Sequence, residues 1–176
     1  MTMIEALNMQ NLDDVNKPNQ SFNIIGKIIP VFHDGAWSYT EYLFEKPYEK
    51  HYSAENLKYE NYIDNPEQII YLYYDDKKCV GQIELKNNWN KFAMIRDIAV
   101  SQANRGKGVG SALIQKAIEW AKQNSLKGLM LETQDTNLLA CRFYHKIGFQ
   151  IGGVDTMLYS NFDNADEIAV FWYMKF

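Results

Sequence analysis

Cysteine is scarce in this 176-residue chain: Cys79 and Cys141 are the only two, far apart and without CxxC spacing. That excludes a disulfide framework and a zinc knuckle, and it suits a reducing cytosol. No apolar run approaches the ~18 residues a membrane span needs, and the opening MTMIEALNMQNLDD lacks the basic-then-apolar plan of a secretory leader. The expectation is a soluble, cytoplasmic protein with no membrane partner. Positive charge is also short. Eighteen Lys and Arg against 22 Asp and Glu give a net charge of -4, whereas a nucleic-acid backbone calls for a clustered cationic excess. Nucleic acid is therefore excluded as the main partner, and a cationic one is favoured. Repeats, low-complexity tracts and linkers are absent too. The length suits one domain over residues 1–176, which would bury about 70% of the surface its unfolded form exposes.

Hydrophobic patterning divides the chain. FNIIGKIIPVFHDGAWSYTEYLF reads as a hairpin turning at Asp34-Gly35, because Asp-Gly favours the positive φ of a tight turn. Residues 48–62 read as a helix ending before Asn65-Pro66. QIIYLYYDDKKCVGQIELKNN is a second hairpin turning at Asp75 to Lys78, and FAMIRDIAV continues the antiparallel meander. Then the period changes. Val109, Leu113, Ala117 and Trp120, flanked by Ile114, Ile118 and Ala121, form a helical stripe before the strand GLMLET. A further helix over Leu138 to Lys146 stops at Gly148, and FQIGGVDTMLYS and EIAVFWYMKF read as closing strands. A strand, helix and strand in succession make a right-handed crossover between parallel neighbours. The class is α/β with a mixed sheet.

Between strand and helix lies VSQANRGKGVGSAL, where Gly106, Gly108 and Gly110 bring bare backbone to a helix N terminus. First-turn N–H groups have no intrahelical partner, so such a loop suits an anion. A Walker loop fails, since Lys107 is followed by Gly108 rather than Ser or Thr. A dinucleotide loop wants GxGxxG, but Ser111 takes the third position; Glu132 could stand for its ribose-binding acid, and this stays a minor alternative. The pattern (Q/R)xxGx(G/A) is met by Arg105, Gly108 and Gly110, with Arg105 and Lys107 adding charge for a diphosphate. The loop alone also fits an ordinary glycine-rich turn with both cations solvated.

On these residues the loop resembles that of the GCN5-related N-acetyltransferases, the GNAT family, and LETQDTNLLACRFYHKIGF is similar to the second half of the same core. The resemblance implies a mostly antiparallel central sheet with flanking helices and splayed parallel central strands. It implies acetyl-CoA as cosubstrate, its diphosphate held by Arg105, Gly106, Lys107, Gly108, Val109, Gly110 and Ser111. The pantetheine arm would run against Ile98, Ala99 and Val100 and be held by Asn137, with the Tyr144 hydroxyl close to the sulfur. No metal is implied.

Chemistry then assigns roles. An amine of pKa about 10 is only about 0.1% neutral at pH 7, and only the neutral form attacks a thioester. Glu132 precedes Asn137 by the interval of the carboxylate base in the ribosomal-protein N-acetyltransferase branch, to which LETQDTN is similar; Asp97 is the second candidate, unless Arg96 makes it a structural ion pair. Tyr144 serves as the acid for the leaving thiolate, and a backbone N–H near Ala99 or Val100 as an oxyanion donor. His33, His51 and His145 read as surface or packing residues, and Cys141 as core rather than nucleophile. The C-terminal block, with weaker support from the first hairpin, is similar to the branch that acetylates the β-lysine amine of streptothricin. For so cationic an acceptor, Tyr39, Glu41, Glu45, Asp155, Tyr159 and Glu167 are candidates for an acidic, aromatic groove. Another amine (polyamine, aminoglycoside or protein N terminus) and a non-catalytic acyl-CoA sensor are the rival readings. Monomer and homodimer stay open.

Overall fold

The computed structural model describes residues 2–53 and 57–176. In chain order the elements are β1 (Thr2–Ala6), β2 (Phe22–His33), β3 (Ala36–Lys50), β4 (Gln68–Asp75), β5 (Lys78–Asn87) and β6 (Ala93–Val100). There follow α1 (Val109–Gln123), β7 (Gly128–Gln134), α2 (Leu138–Lys146), β8 (Gln150–Asp155) and β9 (Ala169–Lys175). The α/β class is as expected. Two compact units arise, one from residues up to Phe22 with His51–Leu129, the other from Asn23–Lys50 with Met130–Phe176.

In the first unit the strands run in the order β1-β4-β5-β6, each neighbouring pair antiparallel. The β4–β5 turn has positive φ at Asp76 (45°) and Lys77 (66°), the mirror-image turn that suits the twist of a hairpin, achieved here without glycine. Ile70, Leu72 and Tyr74, alternate residues of β4, pack with Leu7 and Tyr62 in one buried cluster. Helix α1 buries Val109, Leu113, Ile114, Ala117, Trp120 and Ala121, the stripe read from its spacing. In β6 the register steps from Glu84↔Asp97 to Leu85↔Ile95, so Arg96 is the extra residue of a bulge. Its Nε lies 3.0 Å from Oε1 of buried Glu84, which also accepts the Tyr62 hydroxyl.

In the second unit the order is β7-β9-β8, with β8 and β9 antiparallel, and β2 and β3 form a separate long hairpin. Asp34 (φ 49°) and Gly35 (φ 78°) make its turn as foreseen. Helix α2 starts where the Asn137 side chain accepts from Ala140 N at 3.3 Å and stops at Gly148, beyond which Phe149 N donates to Tyr144 O at 2.9 Å. Trp172, Phe149, Leu131 and Leu138 are fully buried.

Three expectations are corrected. The helix over 48–62 does not form: Tyr48 to Lys50 end β3 and Tyr59–Tyr62 is a 3-10 turn, while residues 54–56 lie outside the described residues. Strand β8 ends at Asp155, because Asp155 Oδ1 accepts from Met157 N (2.8 Å) and Leu158 N (3.0 Å) and so turns the chain. The last strand begins at Ala169 rather than Glu167. Strand β1 was not foreseen.

Gly26 sits on the buried face of β2 between Ile24 and Ile28 and bridges in parallel to Asn137. A Cβ there would lie 2.3 Å from Tyr42 O, 3.0 Å from Leu43 Cα and 3.1 Å from Leu138 Cδ2. A backbone oxygen cannot swing aside as a side chain can. Gly26→Ala is expected to cost about 1–3 kcal/mol, seen as a lower urea midpoint with an unchanged slope.

Candidate active site

Strand β6 ends at Val100, and Ser101 N donates to Val80 O at 2.9 Å before a 3-10 turn over Gln102–Asn104. The chain then enters α1 through Gly106 (φ 75°) and Gly108 (φ 88°), left-handed conformations that a side chain would strain. Nothing lies within 4 Å of a Cβ built on either, and no side chain caps α1 at Gly108. The first turn also holds no acidic residue. The result is an open cradle of first-turn N–H groups at a positive helix end, over Val109, Gly110 and Ser111, which fits a diphosphate.

Arg105 sits otherwise than its expected role suggests. Its Nε donates to Val100 O (2.9 Å), Nη1 to Ser21 O (2.9 Å) and Nη2 to Gln20 O (3.1 Å), while the Gln20 side chain accepts from Gln102 N (2.7 Å). Three of five N–H groups thus strap the loop to residues 20 and 21, and the charge stays beside the cradle. Lys107 is exposed. On β6, Ile98, Ala99 and Val100 are half-buried. Asp97 accepts from Gln82 Nε2 at 2.6 Å, and Gln82 also bonds Asn16 on both its atoms. That buried amide, absent from the expected list, fixes Asp97.

The second unit carries the other candidates. Tyr144 is buried, edge-on to Phe149 (centroids 5.6 Å) and tilted on Trp172 (6.4 Å). The Asn137 carbonyl caps α2, so its amide nitrogen is the atom that could reach a ligand. Glu132 accepts the hydroxyl of buried Tyr159. Burial pushes its carboxyl above the ordinary value; the Tyr159 bond pulls it back and the Glu167 charge pushes it further up. Glu167, also buried, accepts from Lys50 Nζ (2.7 and 2.8 Å), Thr136 Oγ1 (2.6 Å) and Asn164 Nδ2 (2.7 Å). Burial opposes its ionisation, but those bonds win and hold its carboxyl below the ordinary value.

The acceptor candidates divide. Glu132, Tyr159 and Glu167 come together, and Lys50, Thr136, Asn164 and buried Asp135 join them without having been foreseen. Glu41 is taken by Arg142 in a bidentate pair at 2.9 and 2.5 Å, Asp155 serves its turn, and Glu45 is exposed. Tyr39 packs on His145 (5.5 Å) and Trp172 (6.1 Å). No local signal could have announced these pairs, whose members lie 101 and 117 residues apart. His33 and His51 are exposed, as is His145. Cys141 is fully buried, its thiol pushed up to about 12 by burial, so a thiolate nucleophile is excluded at neutral pH. Among the described residues no group of three or more His, Cys, Asp and Glu could hold a metal ion, and no helix is long and apolar enough to cross a membrane.

The chain is similar to known proteins. The model of the acetyltransferase (GNAT) family matches residues 32–149. Streptothricin acetyltransferase A of Bacillus subtilis (strain 168) is 52% identical over 174 residues, 99% of this chain and 100% of the relative. Streptothricin acetyltransferase of Escherichia coli is 39% identical over 128 residues, 72% of this chain and 70% of its own. A crystal structure from Bacillus anthracis str. Ames, assigned as a streptothricin acetyltransferase in complex with acetyl coenzyme A, aligns with a TM-score of 0.91 at 37% identity, over 100% of this chain and 98% of that one. A likeness of this extent, carried by a chain with an open, uncapped helix start, makes this protein a member of the acetyltransferase (GNAT) family.

Proposed function

We propose that this acetyl-CoA-dependent N-acetyltransferase acetylates a primary amine of a cationic small molecule, the β-lysine amine of streptothricin, as a single catalytic domain in the cytoplasm. The observation that carries the reading is the uncapped start of α1 with open space over Gly106 and Gly108. The streptothricin acetyltransferases at 52% and 39% identity support the choice of acceptor.

The diphosphate of acetyl-CoA lies on the N–H groups of Val109 to Ser111, with Lys107 adding charge, and the pantetheine runs along Ile98 to Val100; in the second unit the Asn137 amide is a donor suited to the same arm. Glu132 takes a proton from the amine. The neutral nitrogen attacks the acetyl carbonyl carbon, whose oxygen is met by a backbone N–H near Ala99 or Val100. The C–N bond forms, the C–S bond breaks, and Tyr144 protonates the departing thiolate. Lifting a proton from an amine of pKa about 10 at pH 7 asks for about 4 kcal/mol, an amount within reach of a positioned carboxylate. Burial suits Glu132 to the task, because a raised carboxyl is a stronger base. Asp97, held by Gln82, is the second candidate.

Thiol release from acetyl-CoA across a panel of amines tests the acceptor. Turnover on streptothricin is expected; turnover on polyamines, aminoglycosides or N-terminal peptides alone would remove that assignment. Tyr144→Phe and Glu132→Gln should each lower kcat about 100-fold or more with acetyl-CoA affinity retained by calorimetry; full activity in either variant would strip that residue of its role. The acid limb of kcat should fall above the ordinary carboxylate range, since Glu132 must be ionised and burial raises it. Arg105→Ala should raise the KM for acetyl-CoA roughly tenfold, as for a lost hydrogen bond to a charged group. Lys107→Ala should instead flatten the dependence of that KM on salt, because its charge is exposed and screened.

A further inference from the structure

We infer that Tyr159 is a positioning residue for the base: its hydroxyl, delivered by the Asp155 turn, aims the Glu132 carboxylate at the acceptor amine. The inference rests on the reading of Glu132 as the base and reassigns Tyr159 and Asp155 from lining a cationic groove.

The delivery begins where β8 ends. Asp155 Oδ1 accepts from Met157 N and Leu158 N, Ser160 N donates to Met157 O at 3.1 Å, and Phe162 N donates to Tyr159 O at 2.9 Å. These bonds wind residues 155–162 into consecutive turns. Within them Met157 and Phe162 are 70% and 65% exposed, whereas Tyr159 is only 8% exposed, so the winding turns this one side chain inward. Its hydroxyl donates to Glu132 Oε1. Among the described residues no hydrogen bond is donated to Oε2, which leaves that oxygen for the amine.

The same segment is tied at its other end. Asn164 Nδ2 donates to Glu167, Glu167 N donates to Asn164 O (3.0 Å), and Ile168 N donates to Asp135 Oδ1 (3.0 Å). A loop held at both ends gives the Tyr159 hydroxyl a fixed origin. The titratable groups facing Glu132 are Tyr159 from the loop after β8 and Glu167 from the segment before β9, the latter paired with Lys50 of β3. A hydroxyl partner suits a base better than Lys50 would. It orients the carboxylate without a permanent positive charge that would lower its proton affinity. In Tyr159→Phe the hydrogen bond that favours the ionised form is gone, so the carboxyl rises.

The test is the pH dependence of kcat in the full-length protein, with streptothricin as acceptor and saturating acetyl-CoA, for the parent, Tyr159→Phe, Asp155→Ala and Glu132→Gln. Tyr159→Phe is expected to lose about tenfold or more in kcat, with its acid limb moved to higher pH and acetyl-CoA affinity unchanged. Asp155→Ala keeps the hydroxyl but loosens its delivery, and should move the limb in the same direction by less. It also provides a reading should Tyr159→Phe misfold. Near-parent kcat and an unmoved limb in Tyr159→Phe, or in Asp155→Ala alone if the former does not fold, would overturn the inference while an inactive Glu132→Gln upholds the base. A fully active Glu132→Gln would bring down both, because Tyr159 would then have no base to aim.

Discussion

A helix that starts on Gly108 with no side chain over its first turn must find its acceptors elsewhere, and much of the first unit is arranged around that requirement. Gly106 and Gly108, in left-handed conformations and without Cβ atoms, leave the space over that turn open. Val109 and Leu113, both buried, fix the helix by its inner face and leave Ser111 outward. Arg105 closes the arrangement from the side, since its three bonds to carbonyls of residues 20, 21 and 100 hold the loop while leaving a positive charge next to it. A cation facing the ligand directly would give affinity but no shape. A cation that ties backbone together gives the N–H groups one geometry in which to meet a diphosphate.

The second unit treats two neighbouring carboxylates differently, buried Glu167 and half-buried Glu132. Glu167 has an ammonium, a hydroxyl and an amide donating to it, and is held in its charged form. Glu132 has a phenol and a neighbouring negative charge, and is pushed toward its protonated form. When environments drive two like groups apart in proton affinity, the one raised toward working pH is the one able to exchange a proton. Glu167 is thereby a structural anion whose charge makes Glu132 more basic, and Lys50 keeps that influence from becoming a second competing base.

The strands and helices were legible wherever a local rule applied. Asp34-Gly35 announced its turn, the stripe from Val109 to Ala121 announced α1, and Gly148 announced the end of α2. Of the helix expected over 48–62 the described residues give only the end of β3 at Tyr48 to Lys50 and a 3-10 turn at Tyr59–Tyr62. Strand β1 has only Ile4 and Glu5 half-buried, so its pattern carries little signal; its partner β4 supplies the burial. Of the candidate site, the loop and the order Glu132, Asn137, Tyr144 were visible as spacing. The use of each acid was not, since whether Glu41 faces a ligand or Arg142 depends on a residue 101 positions away.

That dependence changes how a cationic acceptor is to be recognised. A groove of free acids would attract any polycation, with affinity that salt screens. Here Glu41 and Glu167 are neutralised by Arg142 and Lys50, and Asp155 is engaged with backbone N–H groups. The overall charge of -4 still steers a cation inward, but weakly and without preference for one amine over another. On the proposed reading, selectivity then falls to shape and to Glu132, whose carboxylate is met by a phenol rather than a cation. With Glu132 as the proposed base, an amine that reaches this carboxylate is also the one that loses its proton to it, so recognition and activation would be one contact.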